Sequence, residues 1–420
     1  MRVFANLFLI LFLVDGGISI FDELLSLFSL GTALPGLRNF FASVVIVMSV
    51  PIYLCLGIDK RLPKRVFLPP ILYIFWCAIA TWFFPSFSDN RIYGLLAASG
   101  QVFLGILSIS HIRKMGGHNL LMTKAMFQSP FFSIRNTLLF GAANLFIIPI
   151  ALLLLGLSSA SSYIDEQTSG FVRLAPDGLY MTERVYRLDD KTIRLVSMIH
   201  VGEKEYYDAL VGSLSSGRTI VLAEGVTDEQ NLLRNKFGYG KMAGFLGLTS
   251  QEKMQFKGRL IEAGEIEKPG FEGGEAGITD ILRADVDIRT FHPSTISFLN
   301  TLGKHLMDST SFAEALLSFN AWAKKNVTPE VNKTIMDDIL YQRNREVIRH
   351  LGKVLSRYDT IVIPWGALHM PGIEESVLAR GFLLQENKER ISIDFRKLLL
   401  GRCFGSFLEC VGIKFGGGKR

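Results

Sequence analysis

Apolar and polar positions follow two different rules along this chain, and the change comes near residue 158. Ahead of it, apolar residues run in long blocks with few acids among them. Behind it they fall into short clusters, alternating as strands do or recurring every three to four residues as helices do. The blocks at 39–57, 68–86, 92–111 and 137–158 each come close to the roughly 20 residues with which a helix crosses about 30 Å of hydrocarbon. A further apolar run at 4–29 is interrupted by Asp15, Gly16, Gly17, Asp22 and Glu23, which predicts a first membrane helix broken at the glycine pair. Arg2 and the run to Val14 imitate a secretory signal. No small-x-small cleavage site follows before the next apolar run, so the segment is expected to be retained.

The serine-rich stretch 158–170 predicts a short linker. Alternation at 180–188 and 191–199 around Asp189-Asp190 predicts a hairpin, although that turn lacks the glycine of the strongest hairpin signals. Three apolar, β-rich runs each end on a polar group: 193–202 at His200, 219–225 at Glu224 and 361–372 at His369. Helical patterns occupy 203–214 and 228–236, and a strand at 286–291 feeds a helix opening at Pro293. Thr328, Pro329 and Glu330 set a capping hydroxyl, a first-turn proline and an acid at the head of a long helix reaching about Tyr358. A hairpin is expected over 381–395. Strands alternating with helices predict an α/β fold, a mixed and largely parallel sheet flanked by helices, preceded by an all-α transmembrane bundle of about five helices. The expected domains are 1–158, 159–395 and a basic-apolar tail, 396–420, whose interspersed Arg402, Lys414, Lys419 and Arg420 suit a membrane interface.

Composition sharpens the boundary. The 420 residues leave room for two or three domains, and a hydrophobic content of 49% is high for a soluble protein. The net charge of +6 lies mainly in short loops between apolar runs and in the tail rather than in a stripe, so the partner it predicts is a lipid bilayer and not nucleic acid. Lys60, Arg61, Lys64 and Arg65 crowd one loop; Arg113, Lys114, Lys124 and Arg135 crowd another. The positive-inside rule puts both in the cytoplasm and the short loop 86–91 outside. Five spans with an inside N-terminus then carry the rest out, which predicts a bacterial inner (plasma) membrane protein with an extracytoplasmic C-terminal domain. Cys55 and Cys77 lie in apolar runs as packing residues, whereas Cys403 and Cys410 would pair only outside the cytoplasm. The absence of a Cys-x-x-Cys argues against a zinc ribbon or a thioredoxin-type site.

Candidate chemistry gathers at the three strand ends. A histidine there presents a neutral imidazole nitrogen as metal ligand or base. Glu224 starts at the edge of the core, and beside His200 and His369 it completes a set of three ligands that leaves a fourth position for water. Each has a plain alternative: a loop histidine for His200, a helix-capping acid for Glu224, and a histidine satisfied by turn carbonyls for His369. Arg343 and Asn344 lie in the long helix, where a guanidinium would clamp a carboxylate or an oxyanion, or only pair with Asp338 or Glu346 on the surface. Asp285, Asp287 and His292 flank a predicted strand and are explained as well by turn and capping roles. His111, His118, His305 and His350 show no partner pattern. The glycine-rich stretch 270–277 lacks the lysine of a phosphate loop and reads as a flexible loop, a lid over the strand ends.

Taken together, Gly366-Ala367-Leu368-His369 with Pro371-Gly372, Glu224, Arg343-Asn344 and Ser197-Met198-Ile199-His200 resemble the TraB/PrgY/GumN family. That family includes the Tiki proteases and is distantly related to erythromycin-esterase-like and ChaN-like proteins. The first motif departs from the family pattern, with Ser197 where the family has glycine. The resemblance covers residues 190–394 and implies a metal-dependent, peptidase-like hydrolase. His200, Glu224 and His369 would hold manganese or cobalt, and Arg343 would stabilise developing negative charge. On ligand chemistry alone zinc or iron suits the set equally well, and the esterase-like relatives extend the reaction to esters. A second reading is a non-enzymatic regulator that grips a peptide carboxylate through Arg343 and damps a signal. A third, a transporter, rests on Asp15, Asp22 and Glu23 inside an apolar run.

Overall fold

The computed structural model describes residues 1–397 apart from 29–33, 88–90, 214–217, 235–239, 241–242, 244–247, 252–257, 269–270, 272 and 275–277. The expected tail, with Cys403 and Cys410, lies outside the described residues. The chain divides into two compact units, Met1–Ala160 and Ser161–Arg420.

The first unit is helical: α1 (Arg2–Leu27), α2 (Pro35–Ile58), α3 (Lys64–Phe83), α4 (Arg91–Gly116) and α5 (Ile134–Gln167). These are five helices long and apolar enough to cross a membrane. Phe8, Phe12, Ile52, Leu56 and Phe67 pack between them, while Leu138, Leu145, Phe146, Ile150 and Leu152 of α5 face outward as lipid-suited surface. The two basic loops meet at one end of the unit. The Lys60 N–H donates to the Phe131 carbonyl (2.8 Å), and Arg61 donates to the Phe127 carbonyl (3.3 Å) with its guanidinium over both phenyl rings. Asn6 exchanges two bonds with the backbone of Met122, so the start of α1 is at that end too.

Two expectations fail here. The first helix is continuous through Gly16-Gly17. A Cβ on Gly16 would stand 2.9 Å from a Val102 methyl, so this glycine admits the close approach of α4 rather than a break. The expected linker at 158–170 is instead the last stretch of α5. Serine and alanine continue a helix at little cost, and termination waits for Ser169 and Gly170, at φ 48° and 77°.

The second unit is α/β. Its strands are β1 (Val172–Ala175), β2 (Gly178–Leu188), β3 (Lys191–Met198), β4 (Val201–Gly202), β5 (Thr219–Ala223), β6 (Thr249–Ser250), β7 (Arg259–Ile261), β8 (Asp280–Arg283), β9 (Thr360–Gly366) and β10 (Leu383–Asp394). An eight-stranded sheet has the order β1-β2-β3-β9-β5-β8-β7, with β10 paired to β2; β4 and β6 pair separately. From β3 to β7 all neighbours are parallel, and β1, β2 and β10 add antiparallel pairs.

Period-two alternation sorts the parallel strands into two apolar faces. Val196, Val221, Val362 and Ile281 pack with Leu210 of α6 (Lys204–Gly212) on one face. Leu195, Ile220, Leu222, Ile361 and Ile363 pack on the other with Val347, Leu351 and Val354 of α10 (Arg343–Val354) and Ile373 and Val377 of α11 (Met370–Ala379). Further helices among the described residues include α7 (Pro293–Asp308), α8 (Phe312–Asn326) and α9 (Pro329–Met336), besides a single turn at Ala263–Ile266.

The hairpin around Asp189-Asp190 forms, with Asp189 at φ 51° supplying the tight turn. Four local expectations are corrected. The strand placed at 286–291 is β8, several residues earlier, because Asp287 accepts the Arg289 N–H and turns Ile288–Thr290 into a 3₁₀ segment. The described part of 228–236 is irregular, since the Asp228 carboxylate accepts the N–H groups of Leu232 and Leu233. The hairpin at 381–395 is one long strand whose partner is β2, far back in the chain. The long helix from Pro329 is interrupted at Asp337–Gln342 by a wide π turn, where Asp338 accepts from the His292 N–H and the Thr295 hydroxyl.

The described glycines of the expected lid, Gly273 and Gly274, lie against Arg357, Tyr358 and Asp280 at the amino end of β8, the edge opposite the strand ends that carry the candidate residues. Asp280 is fully buried there, accepting two bonds from Arg259 (2.8 and 3.0 Å) and one from the Tyr358 hydroxyl (2.7 Å). Asp280→Ala strands these donors and is expected to cost about 2–3 kcal/mol. Thermal unfolding of the detergent-solubilised chain would read this as a lowered midpoint; an unchanged midpoint would refute the anchoring role.

Candidate functional site

Parallel pairing brings four strands to a common edge. In register, Met198 of β3 faces Gly366 of β9, Val221 of β5 faces Val362, and Ala223 faces Arg283 of β8. His200, Glu224, Asp285 and His369 therefore all follow the carboxyl ends of neighbouring strands, where open α/β sheets place their crevices. Arg343 reaches the same place from the first position of α10, directly after the π turn.

The Arg343 guanidinium is the centre of the arrangement. Nε and Nη2 donate to Asp285 Oδ1 and Oδ2 (3.0 and 2.7 Å), and Nη2 donates also to Glu224 Oε1 (2.7 Å). Nη1 donates to His369 Nε2 (3.2 Å) and to the Ile339 carbonyl inside the π turn (3.4 Å). All five N–H groups thus have acceptors within the protein. Burial alone would lower the arginine's pKa, but the Asp285 hydrogen bonds and the charges of Glu224 and Asp285 outweigh it and hold the group charged. The remaining oxygen of Glu224, Oε2, accepts the Gly366 N–H (2.6 Å).

Both histidines are gripped in the same way. Asn344 accepts from His369 Nδ1 (2.7 Å) and donates to the His369 carbonyl (3.3 Å). Gln251 accepts from His200 Nδ1 (2.8 Å), and its backbone N–H donates to the His200 carbonyl (2.9 Å). With an amide oxygen facing Nδ1, each ring carries its proton there and keeps its lone pair on Nε2. Burial, then the neighbouring Arg343 charge, pulls the His369 pKa down to about 4, against the opposing pull of Glu224 and Asp285. His200 is close enough to add to that lowering. Trp365 stands edge-on to His369, with ring centroids 5.1 Å apart, and the guanidinium lies 5.4 Å from the Trp365 ring.

The glycines have distinct roles. A Cβ on Gly372 would meet Asn344 Nδ2 at 2.6 Å, so the Pro371-Gly372 pair makes room for the amide that orients His369. A Cβ on Gly366 would make only ordinary contacts, 3.5 Å to Glu224 and His369; what approaches the carboxylate is its N–H, which any non-proline residue has. Ser197 lies within β3, buried, with its hydroxyl on the Phe171 carbonyl (2.8 Å), so its position is not a tight turn.

Glu224, Arg343, Asn344 and His369 are joined by direct hydrogen bonds, and His200 stands at the same sheet edge. Asp287 bonds Thr227 in a turn and His292 caps α7, so neither joins the centre, and His350 pairs with Glu346. Sequence reasoning did not single out Gln251 or Trp365. It assigned Asp285 equally to a turn because it misplaced β8, whose end is the signal that would have found it.

The donor types suit a divalent ion, but their present arrangement does not fit one. Glu224 Oε1 and His369 Nε2 stand 3.8 Å apart, and both are already bonded to a permanent cation, Arg343. Among the described residues no group of three His, Cys, Asp or Glu side chains is placed to hold a metal. The chain matches no protein-family profile, no curated protein and no solved structure.

Two measurements probe this centre. Because the folded His369 pKa, about 4, lies below the ordinary 6.5, the unfolded chain binds the extra proton first as pH falls. Stability is therefore complete above pH 6.5 and declines towards pH 4, by about 3 kcal/mol for this group. His369→Gln should flatten that part of the profile, and an unaltered profile would contradict the assignment. Arg343→Met leaves two buried carboxylates without their cation and is expected to cost about 3–5 kcal/mol by chemical denaturation.

Proposed function

We propose that this chain is a membrane-anchored hydrolase acting on a peptide or ester bond at the common strand edge of its α/β unit. The observation that carries the reading is the matched amide clamping of His200 and His369 beside Glu224. The amide clamps orient both imidazoles at one edge; His369 Nε2 is taken by Arg343, and proton transfer falls to His200. The resemblance to the TraB/PrgY/GumN family supports peptide hydrolysis first and ester hydrolysis second.

In this reading His200 Nε2 takes the proton of the attacking water and returns it to the leaving group. His369 stays neutral, Glu224 holds the guanidinium beside it, and Asp285 anchors Arg343. Of the guanidinium bonds, the one to the Ile339 carbonyl is the longest at 3.4 Å, so its N–H is the donor least committed to the protein and the one a developing oxyanion would compete for. The regulator reading asks Arg343 to grip a peptide carboxylate. It has less support, because Asp285 and Glu224 already take the charge-paired face of the fork. The resemblance also implies manganese or cobalt. The clamps suit such an ion, whereas the Arg343 bonds to Glu224 and His369 oppose it, and no step is routed through it.

The bundle supports one orientation. The start of α1 and both basic loops share one end, and an odd number of spans carries the chain to the other. We place the basic end in the cytoplasm and the α/β unit outside it, in a bacterial inner membrane.

The test is turnover of fluorogenic peptides and nitrophenyl esters by the purified full-length chain. His200→Ala is expected to lower kcat about 10²- to 10⁴-fold with the fold retained. Equal turnover by the variant, or none of either substrate class by the parent, would sink the proposal. Elemental analysis belongs beside it: near-stoichiometric metal in the parent, lost in both His200→Ala and His369→Ala, would replace the proton-transfer version by a metal-dependent one.

A further inference from the structure

The continuous first helix gives its acids a common direction. Asp15, Ser19 and Asp22 recur at helical spacing and are buried among neighbouring helices, with Glu23 next in line. Asp15 is at the midpoint of a 26-residue helix. At 1.5 Å per residue it is about 20 Å from either end, where a carboxylate is most costly to keep in a bilayer.

Arg38 pairs with Asp22 (3.2 Å) and Glu23 (2.9 Å), so two carboxylates share its guanidinium, and among the described residues Asp15 has no ion pair. Gln101 donates to Asp15 Oδ2 (2.8 Å) and spends its other N–H on the Phe12 carbonyl (3.0 Å). Asp15 is only 6% exposed, and among the described residues neither its Oδ1 nor Asp22 Oδ1 has a hydrogen-bond partner. A half-open pocket of about 300 Å³ adjoins Asp15, Ser19 and Gln101 and continues past Arg38, while Val45, Ile74 and Ala98 supply apolar wall. Its volume is about ten times the share of one water, far more than a bare ion needs.

We infer that the helical unit binds a small organic cation, an ammonium group on an apolar body, with the ammonium at Asp15. The ammonium would lie against the Asp15 carboxylate from the pocket side and offset part of the carboxylate excess. Its apolar body would lie against the aliphatic wall, which an inorganic ion would leave unfilled. This inference is independent of the chemistry of the α/β unit.

The experiment is calorimetric titration of the full-length chain in detergent micelles at pH 7. The probes are phenethylammonium chloride, its neutral counterpart 2-phenylethanol, and sodium chloride. Saturable phenethylammonium binding is expected, about tenfold or more weaker in Asp15→Asn, with the alcohol weaker by a similar factor. Ala98→Leu, which narrows the cavity without touching the carboxylate, should cause a comparable loss and decides the matter if the Asp15 variant does not fold. Absence of saturable binding, equal affinity for the alcohol, or retained affinity in the variants would overturn the inference. Displacement of the amine by equimolar sodium would also overturn it, by assigning the site to an inorganic cation.

Discussion

A guanidinium held below the protein surface must have its charge answered on the spot, and in the α/β unit that demand falls on Arg343. Asp285 takes one edge of its fork and Glu224 shares a nitrogen, while the π turn and His369 accept what remains. Each partner is then constrained in turn. His369 must be neutral to accept, so its proton sits on Nδ1, and Asn344 must be there to receive it. Glu224 is held from both sides, by the guanidinium on one oxygen and by the Gly366 N–H on the other. Removal of any one member leaves an unpaired buried group in a medium where such groups are costly.

The helical unit answers a similar problem differently. Arg38 is there the cation for two acids, and among the described residues the buried Asp15 is left with an amide for one oxygen and nothing for the other. In the α/β unit the polar groups of the centre close on one another, as a rigid constellation requires. In the helical unit they do not, and Asp15 helps to line a half-open pocket. That contrast separates a site organised by its own residues from one that awaits a charge from outside.

The elements readable from sequence are those whose signals are local. Thr328 and Pro329 start a helix because a hydroxyl accepts the Val331 N–H one turn on, and the apolar run into Gly366 forms the strand between β3 and β5. The misread elements depended on distant or competing bonds. Asp287 and Asp228 diverted an expected strand and an expected helix into turns by accepting backbone N–H groups. The partner of β10 is β2, so no local hairpin was required. Gly16 looked like a helix breaker because the close approach of Val102 is invisible along the chain.

Residue types and spacings by themselves determined that apolar helices precede an α/β unit, and that His200, Glu224 and His369 close three strand ends, because periodicity and capping act within one or two turns of chain. Only the tertiary structure decided what those ends do to one another. It brought Asp285 and Gln251 into the centre and set Arg343 between Glu224 and His369, across separations of 119 and 26 residues. The physical reason is that hydrogen-bond geometry at a sheet edge depends on register between strands, and register is a property of their packing rather than of any one of them.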